Sequence, residues 1–185
     1  LAIIFERFYS LRHDQIIPPD LLRQTVEILR RQGASEELMQ RLAAGSPLGR
    51  IFAAGVRNIA SSREVMKESL EEAGRAVAHD LSRFQSSLGT IAAIAPLLGL
   101  LGTVIGMVEI FGAQAPTGAN PAMLAHGISV ALYNTAFGLI VAIPSMIFYR
   151  YFRARTEAFL IEMEEQAIAL VELAHGERRL IFSAA

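Results

Sequence analysis

The residues of this sequence that could do chemistry do not form a catalytic motif. The sequence has four histidines: His13, His79, His126 and His175. None has the His-x-x-x-His spacing of a metal site, and the glycine-rich run from Gly99 to Gly106 lacks the lysine of a phosphate-binding loop. The sequence has no cysteine, which excludes disulfides, cysteine-ligated zinc and iron–sulfur clusters. We therefore predict no enzyme activity, no metal and no cofactor.

Four hydroxyl and amide residues stand out because they lie in long uncharged stretches. Thr103 and Thr135 lie near the middle of these stretches, where a hydroxyl can either pack against a neighbouring helix or face a hydrated pore. Asn134 is costly in hydrocarbon unless its amide is satisfied, so we expect it to face protein or water. The candidate pore-lining residues are Thr103, Thr135, Asn134 and Ser129.

No Asp, Glu, Lys or His lies in the middle of either stretch. Glu109 and His126 lie close to the ends, where water or lipid headgroups can reach them. We interpret both as solvated boundary residues, with a role in proton relay as the alternative. If protons cross the membrane here, a partner protein must supply the titrating group.

Small residues recur at helical spacing in both stretches. One series is Ala92, Ala95, Gly99, Gly102 and Gly106; the other is Gly127, Ala131, Thr135, Gly138, Ala142 and Ser145. Small side chains let membrane helices approach closely, so both series predict helix packing, either within one chain or between subunits. Pro96 and Pro144 each free a carbonyl one turn earlier, which predicts a kink or a hinge.

The charge pattern shows what kind of element carries these residues. Between Arg83 and Arg150 only Glu109 is Asp, Glu, Lys or Arg. A bilayer core about 30 Å thick needs about 20 apolar residues in a helix, so the interval holds two spans and a short turn. All 17 Lys and Arg flank it. The positive-inside rule then places both flanks in the cytoplasm and the turn outside, and no basic cluster suggests nucleic acid.

Local signals predict an all-α fold. Helices are expected from Leu21 to Gly33, after Ser35, and from Ser46-Pro47, because these residues are typical caps and first-turn residues. From Ser62 to Phe111 the apolar periodicity is unbroken, which predicts one helix about 75 Å long at 1.5 Å per residue. A second long helix is expected from Pro121 to Gly176.

These elements divide the chain into six segments. Residues 1–8 are expected to be the cytoplasmic end of an earlier span, so that the intact protein has three. A cytoplasmic helical region (9–83), a span (84–111), a periplasmic loop (112–121), a further span (122–149) and a cytoplasmic helix (150–185) follow.

Two stretches of the spans resemble the ExbB/TolQ/MotA proton-channel family. The run Ala95-Pro-Leu-Leu-Gly-Leu-Leu-Gly-Thr103-Val-Ile-Gly106 is similar to that family's second-span motif. The run Gly127-Ile-Ser-Val-Ala-Leu-Tyr-Asn-Thr135-Ala-Phe-Gly138 through Pro144 is similar to its third span. In one respect the chain departs from the pattern: many ExbB and TolQ sequences have a glutamate where Val130 stands.

The resemblance implies an assembly. Members form a homopentamer whose second and third spans line a pore around the transmembrane helices of an ExbD- or TolR-like partner. That partner carries the titrating aspartate, and Thr103 and Thr135 correspond to the pore threonines that face it. The energy of proton flow passes to a TonB- or TolA-like protein that spans the periplasm.

The sequence thus predicts an ExbB-like pore-forming stator subunit of a proton-driven motor in the bacterial inner membrane. The alternatives are a TolQ-like subunit for envelope integrity and a passive membrane scaffold that conducts no protons.

Overall fold

The computed structural model describes residues 2–112 and 121–176, and every regular element in these ranges is an α-helix. The helices are α1 (Ala2–Ser10), α2 (His13–Ile16), α3 (Leu21–Gln32), α4 (Glu36–Gly45), α5 (Pro47–Arg57), α6 (Arg63–Ser82), α7 (Gln85–Gly112) and α8 (Pro121–Ala174). The prediction of an all-α fold with two long apolar helices is confirmed. Residues 113–120 of the expected loop and 177–185 of the expected last segment lie outside the described residues.

Most helix ends lie where the capping residues predicted them. The Ser35 hydroxyl accepts a hydrogen bond from the Leu38 amide (3.2 Å), and the Ser46 hydroxyl accepts one from the Gly49 amide (3.0 Å). Each bond satisfies an amide that has no partner inside its helix. Gly33 ends α3 with a φ of 73°, a left-handed value that glycine adopts without strain. The short helix α2 had no signal that we recognised.

The chain forms two compact units, and α8 contributes residues to both. The charged unit comprises residues 2–83 and 153–176, and α5 lies at its centre. Leu48, Phe52 and Val56 of α5 are fully buried. Gly55 lies so close to α6 that a Cβ there would be 2.8 Å from Cδ2 of Leu70. This unit therefore has a conventional hydrophobic core, formed by short helices that bury their apolar stripes.

The predicted single helix from Ser62 to Phe111 is wrong in one respect: it breaks at Arg83 and Phe84. The Ser82 hydroxyl donates to the Ala78 carbonyl (2.7 Å), and the Arg7 guanidinium donates to the Leu81 carbonyl (3.0 Å). These side chains compete with backbone amides for the carbonyls in the last turn of α6, where the helix ends.

The apolar unit comprises residues 84–112 and 121–152. It contains all of α7 and the first 32 of the 54 residues of α8. The two helices pack side by side and antiparallel: Gly89 near the start of α7 lies against Tyr149, and Ile110 near its end lies against Gly127. Pro96 and Pro144 lie inside α7 and α8 without ending either helix. This unit holds every candidate site residue.

Candidate functional site

Glycines bring the backbones of α7 and α8 into direct contact. A Cβ at Gly99 would lie 2.8 Å from the Asn134 carbonyl oxygen and 2.9 Å from Cα of Thr135. A Cβ at Gly138 would lie 2.6 Å from the Ala95 carbonyl oxygen. Neither position can take a side chain without separating the helices. Within the chain, the small residues of α7 therefore pack against those of α8.

The same contact continues toward the ends of the helices. A Cβ at Gly102 would lie 2.9 Å from Cβ of Asn134, and one at Gly106 would lie 3.1 Å from Cβ of Ala131. Near the helix ends, a Cβ at Gly127 would lie 2.6 Å from Cγ1 of Ile110. We call this α7–α8 contact the glycine seam. It fixes the register in which the polar residues of the two helices meet.

Thr103 and Thr135 meet in the glycine seam. Their hydroxyl oxygens are 2.5 Å apart, close enough for a strong hydrogen bond. The Thr103 hydroxyl also lies within donating distance of the Gly99 carbonyl (3.2 Å) and the Ala131 carbonyl (3.1 Å). The Thr135 hydroxyl lies 3.2 Å from the Gly99 carbonyl. Both side chains are half-buried. The pair thus links the two helices and still has a side open to its surroundings.

Asn134 and Ser129 do not join this pair. Both are exposed on α8. The Ser129 hydroxyl donates to the Ala125 carbonyl of its own helix (2.9 Å). The Asn134 side chain lies beside Gly102, where a Cβ would be 3.0 Å from its amide nitrogen Nδ2. Its amide makes no hydrogen bond to any residue that the structure describes. Of the four residues proposed to line a pore, two are therefore brought together and two stand apart.

One buried polar residue of this unit escaped the sequence analysis. The Gln85 side-chain amide donates to the Phe152 carbonyl (3.2 Å) and is buried. It links the first residue of α7 to the far end of the apolar part of α8. The sequence shows only a polar residue at the start of the uncharged stretch. A solvated residue is equally expected there, so the burial of Gln85 could not be predicted.

The outer surface of the apolar unit identifies the class of protein. The two stretches Arg63–Gly112 and Pro121–Ala174 each contain an 18-residue window long and apolar enough to cross a membrane, and only 11% and 17% of these windows is buried inside the chain. The core helix of a soluble protein would be mostly buried. Large apolar side chains such as Leu97, Leu98 and Ile140 are more than 60% exposed. The fold and this surface are those of an α-helical membrane protein.

Comparison with known proteins specifies the class. The sequence model of the MotA/TolQ/ExbB proton channel family matches residues 43–165. The chain belongs to this family. The match includes both the glycine seam and the threonine pair, and it places the chain with proton channels rather than with a class of enzymes.

Individual relatives carry ExbB names. Over 83% of this chain, 33% of residues are identical to a biopolymer transport protein of Synechocystis sp. named ExbB-like 3, of which 75% is covered. An ExbB homolog of Methanothermobacter thermautotrophicus is 31% identical over 86% of the chain and 57% of its own length. The biopolymer transport protein exbB1 of Vibrio cholerae is 38% identical over 79% of the chain and 66% of its own length. The chain thus spans between 57% and 75% of these relatives.

Proposed function

We propose that this chain is the pore-forming stator subunit of a proton-driven motor in the bacterial inner membrane. In this role it assembles as a homopentamer around an ExbD-like partner and energises TonB-dependent transport across the outer membrane. The observation that carries the proposal is the Thr103–Thr135 pair, which places two hydroxyls together at membrane depth. No Asp, Glu, Lys or His lies near them in either span, so the titrating group has to come from the partner's carboxyl.

The hydroxyls have a chemical role in this proposal. A carboxyl that moves past a hydroxyl pair can exchange hydrogen bonds with it in both its charged and its neutral form. A dry wall would disfavour the charged form and slow proton release. The pair supplies a polar wall without a charge of its own, which suits a pore whose moving charge belongs to the partner.

The experiment tests whether proton flux depends on the two hydroxyls or only on the volume of the side chains. We expect the double variant Thr103→Val, Thr135→Val to assemble with its partner but to lose proton flux by on the order of tenfold or more, because the charged carboxyl loses its polar wall. The matched control is Thr103→Ser, Thr135→Ser, which keeps both hydroxyls and removes a methyl group each; it should retain flux. Flux and partner pulldown are measured on the same membranes.

The main rival is a passive scaffold, and the structure gives it one favourable observation. Each hydroxyl of the pair also contacts a carbonyl across the glycine seam, as expected for a link that only holds two helices together. For a scaffold, the valine variant should be tolerated, since a valine packs against small residues almost as a threonine does, and no flux should be measurable in the wild type. Normal flux in the valine variant would leave the pair with a structural role alone.

The ExbB names of the relatives support the ExbB branch over the TolQ branch. Envelope integrity is the function expected for a TolQ-like subunit. Complementation distinguishes the branches, since a TonB-linked subunit restores uptake through outer-membrane receptors and a TolQ-like one restores resistance to detergents.

A further inference from the structure

A groove runs between α6 and the last third of α8, within the charged unit. Its volume of about 380 Å³ falls in the range of about 300–1,000 Å³ that is typical of ligand sites. A Cβ at Gly74, in the α6 wall, would meet no atom within 4 Å, and Ile168 of the α8 wall is 46% exposed. The groove therefore leaves apolar surface open to water. Its floor consists of Ile51, Leu70, Leu160, Met163, Ala167 and Val171.

Charged side chains also line the groove. Lys67, Glu71 and Arg75 follow one another at successive turns of α6, and Glu164 lies on α8. Lys67 and Glu71 pair with each other across 3.8 Å. Glu164 and Arg75 form no ion pair with any residue that the structure describes. The groove is therefore suited to a segment that combines apolar side chains with a charge of its own.

Residues 177–185 fit this description, and they follow directly on α8. They lie outside the described residues, and their sequence is Glu-Arg-Arg-Leu-Ile-Phe-Ser-Ala-Ala. The run Leu-Ile-Phe at 180–182 is apolar, and docking in the groove removes its surface from water. Two arginines come immediately before this run, so that a guanidinium can pair with the Glu164 carboxylate.

The segment is long enough to reach the groove. The helix α8 ends at Ala174, and Gly176 has a φ of 75°, a left-handed conformation that ends a helix and turns the chain away from its axis. Ala167, in the floor of the groove, lies about 14 Å back along the helix from Gly176. Six extended residues from Gly176 to Phe182 span up to about 20 Å. Phe182 can therefore reach the floor.

We propose that residues 177–185 fold back along α8 and dock in the groove, with the apolar run 180–182 against its floor and Arg179 beside Glu164. Docking covers Ile168 and ties the end of α8 to α6. Because the segment is covalently joined to α8, it reaches this groove at a higher effective concentration than a segment from another chain. The contact lies in the charged unit and does not depend on proton flux.

Cross-linking tests the proposal because the sequence contains no cysteine. The variant Gly74→Cys, Ser183→Cys places one thiol in the groove and the other next to the apolar run, which stays intact. The matched control is Ala76→Cys, Ser183→Cys, because Ala76 is exposed and lies about 200° around α6 from Gly74. The full-length protein is purified in detergent and treated with bismaleimidoethane, a short cross-linker. Denaturing electrophoresis then separates products linked within one chain from those that link two chains.

We expect the Gly74 variant to be cross-linked within one chain at least about tenfold faster than the Ala76 control, because a docked segment stays on the groove side of α6. A freely moving segment reaches both sides of α6, so equal rates would overturn the proposal, as would the absence of any cross-link. A product that links two chains at Gly74 would assign the groove to a neighbouring copy and would also overturn it.

Charge reversal tests the pairing with Glu164. In the Gly74 variant, Glu164→Lys should slow the cross-link by roughly twofold to fivefold, because the lysine repels Arg179. Glu165→Lys is the control, since Glu165 is the next residue, is exposed and does not line the groove. An equal effect of the two reversals would reject the pairing of Arg179 with Glu164.

Removal of the apolar side chains tests what holds the segment. The double variant Leu180→Ser, Phe182→Ser should abolish the preference for Gly74 over Ala76, because the side chains that dock are lost. A preference that survives would reject the apolar run as the docking element. Ala78→Cys, which also lines the groove, replaces Gly74→Cys if the thiol at position 74 lowers the melting temperature.

Discussion

At the scale of single residues, two helical glycines show how differently the chain uses the same residue type. Gly138 lies in the glycine seam, where a Cβ would be 2.6 Å from the Ala95 carbonyl oxygen, whereas a Cβ at Gly74 of α6 would have no neighbour within 4 Å. The first glycine permits a close approach of two backbones. The second only adds backbone freedom to the unfolded chain.

We predict opposite signs for the two alanine variants. Gly74→Ala should stabilise the protein by about 1 kcal/mol, because alanine is the better helix former and the position is open. Gly138→Ala should destabilise it, because the methyl group meets a backbone carbonyl that cannot move without separating α7 from α8. Thermal unfolding in detergent measures both. A Gly138→Ala variant as stable as the wild type would contradict the seam.

The position of Gly102 in the structure changes the effect that we expect from a bulky substitution there. From spacing alone, Gly102→Leu is expected to split an oligomer. In the structure its neighbour is Asn134 of the same chain, so the leucine should first displace that side chain and loosen the hairpin of α7 and α8. Limited proteolysis of the variant, compared with its oligomeric state by native mass measurement, shows which contact fails. Loss of the oligomer with an intact hairpin would mean that Gly102 packs between subunits.

At the scale of the elements, sequence predicted the helices well where the cause is local. Ser35, Ser46-Pro47 and Gly33 act on their nearest backbone groups, so their effect can be read from neighbouring residues. The break between α6 and α7 could not be predicted, because Arg7, which binds the Leu81 carbonyl there, is 74 residues away in the sequence. Spacing likewise predicted that the glycines pack, but the partner helix could only come from three-dimensional structure.

An ion pair between α5 and α6 makes the stability of the charged unit depend on pH. The Arg50 guanidinium donates to the Asp80 carboxylate (2.7 Å), and this hydrogen bond holds the pKa of Asp80 below its ordinary value of 3.8. A carboxyl with a lowered folded pKa contributes stability above its unfolded pKa and loses it as the pH falls through the folded value. Both side chains are exposed, so the contribution is small.

We therefore predict that Asp80→Asn lowers the melting temperature slightly at pH 7 and that the difference from the wild type shrinks as the pH falls below 3.8. Melting curves of the purified protein between pH 7 and pH 3 measure it. Glu68→Gln is the control, because Glu68 forms no ion pair with any residue the structure describes. A difference that does not shrink as the pH falls below 3.8 would mean that Asp80 acts through something other than its charge.

At the scale of the whole molecule, the distribution of charge predicts the topology. All Lys and Arg lie outside the interval from Phe84 to Tyr149, and basic residues are retained on the cytoplasmic side. A cysteine at Thr117, which lies outside the described residues, should react with an impermeant reagent from outside, while one at Arg155 should be protected until the membrane is opened. The reverse pattern would invert the orientation.

The threonine pair has a consequence for how the wall of a pore can respond to a passing charge. The pair has two hydroxyl hydrogens. One forms the hydrogen bond between the two threonines, and the other is donated to the carbonyl of Gly99 or Ala131. Either Thr135 donates to Thr103, which donates to a carbonyl, or Thr103 donates to Thr135, which donates to the Gly99 carbonyl. Both arrangements satisfy both hydroxyls, and they differ only by rotation about two C–O bonds. The local dipole can therefore reverse its direction without any displacement of carbon, nitrogen or oxygen atoms.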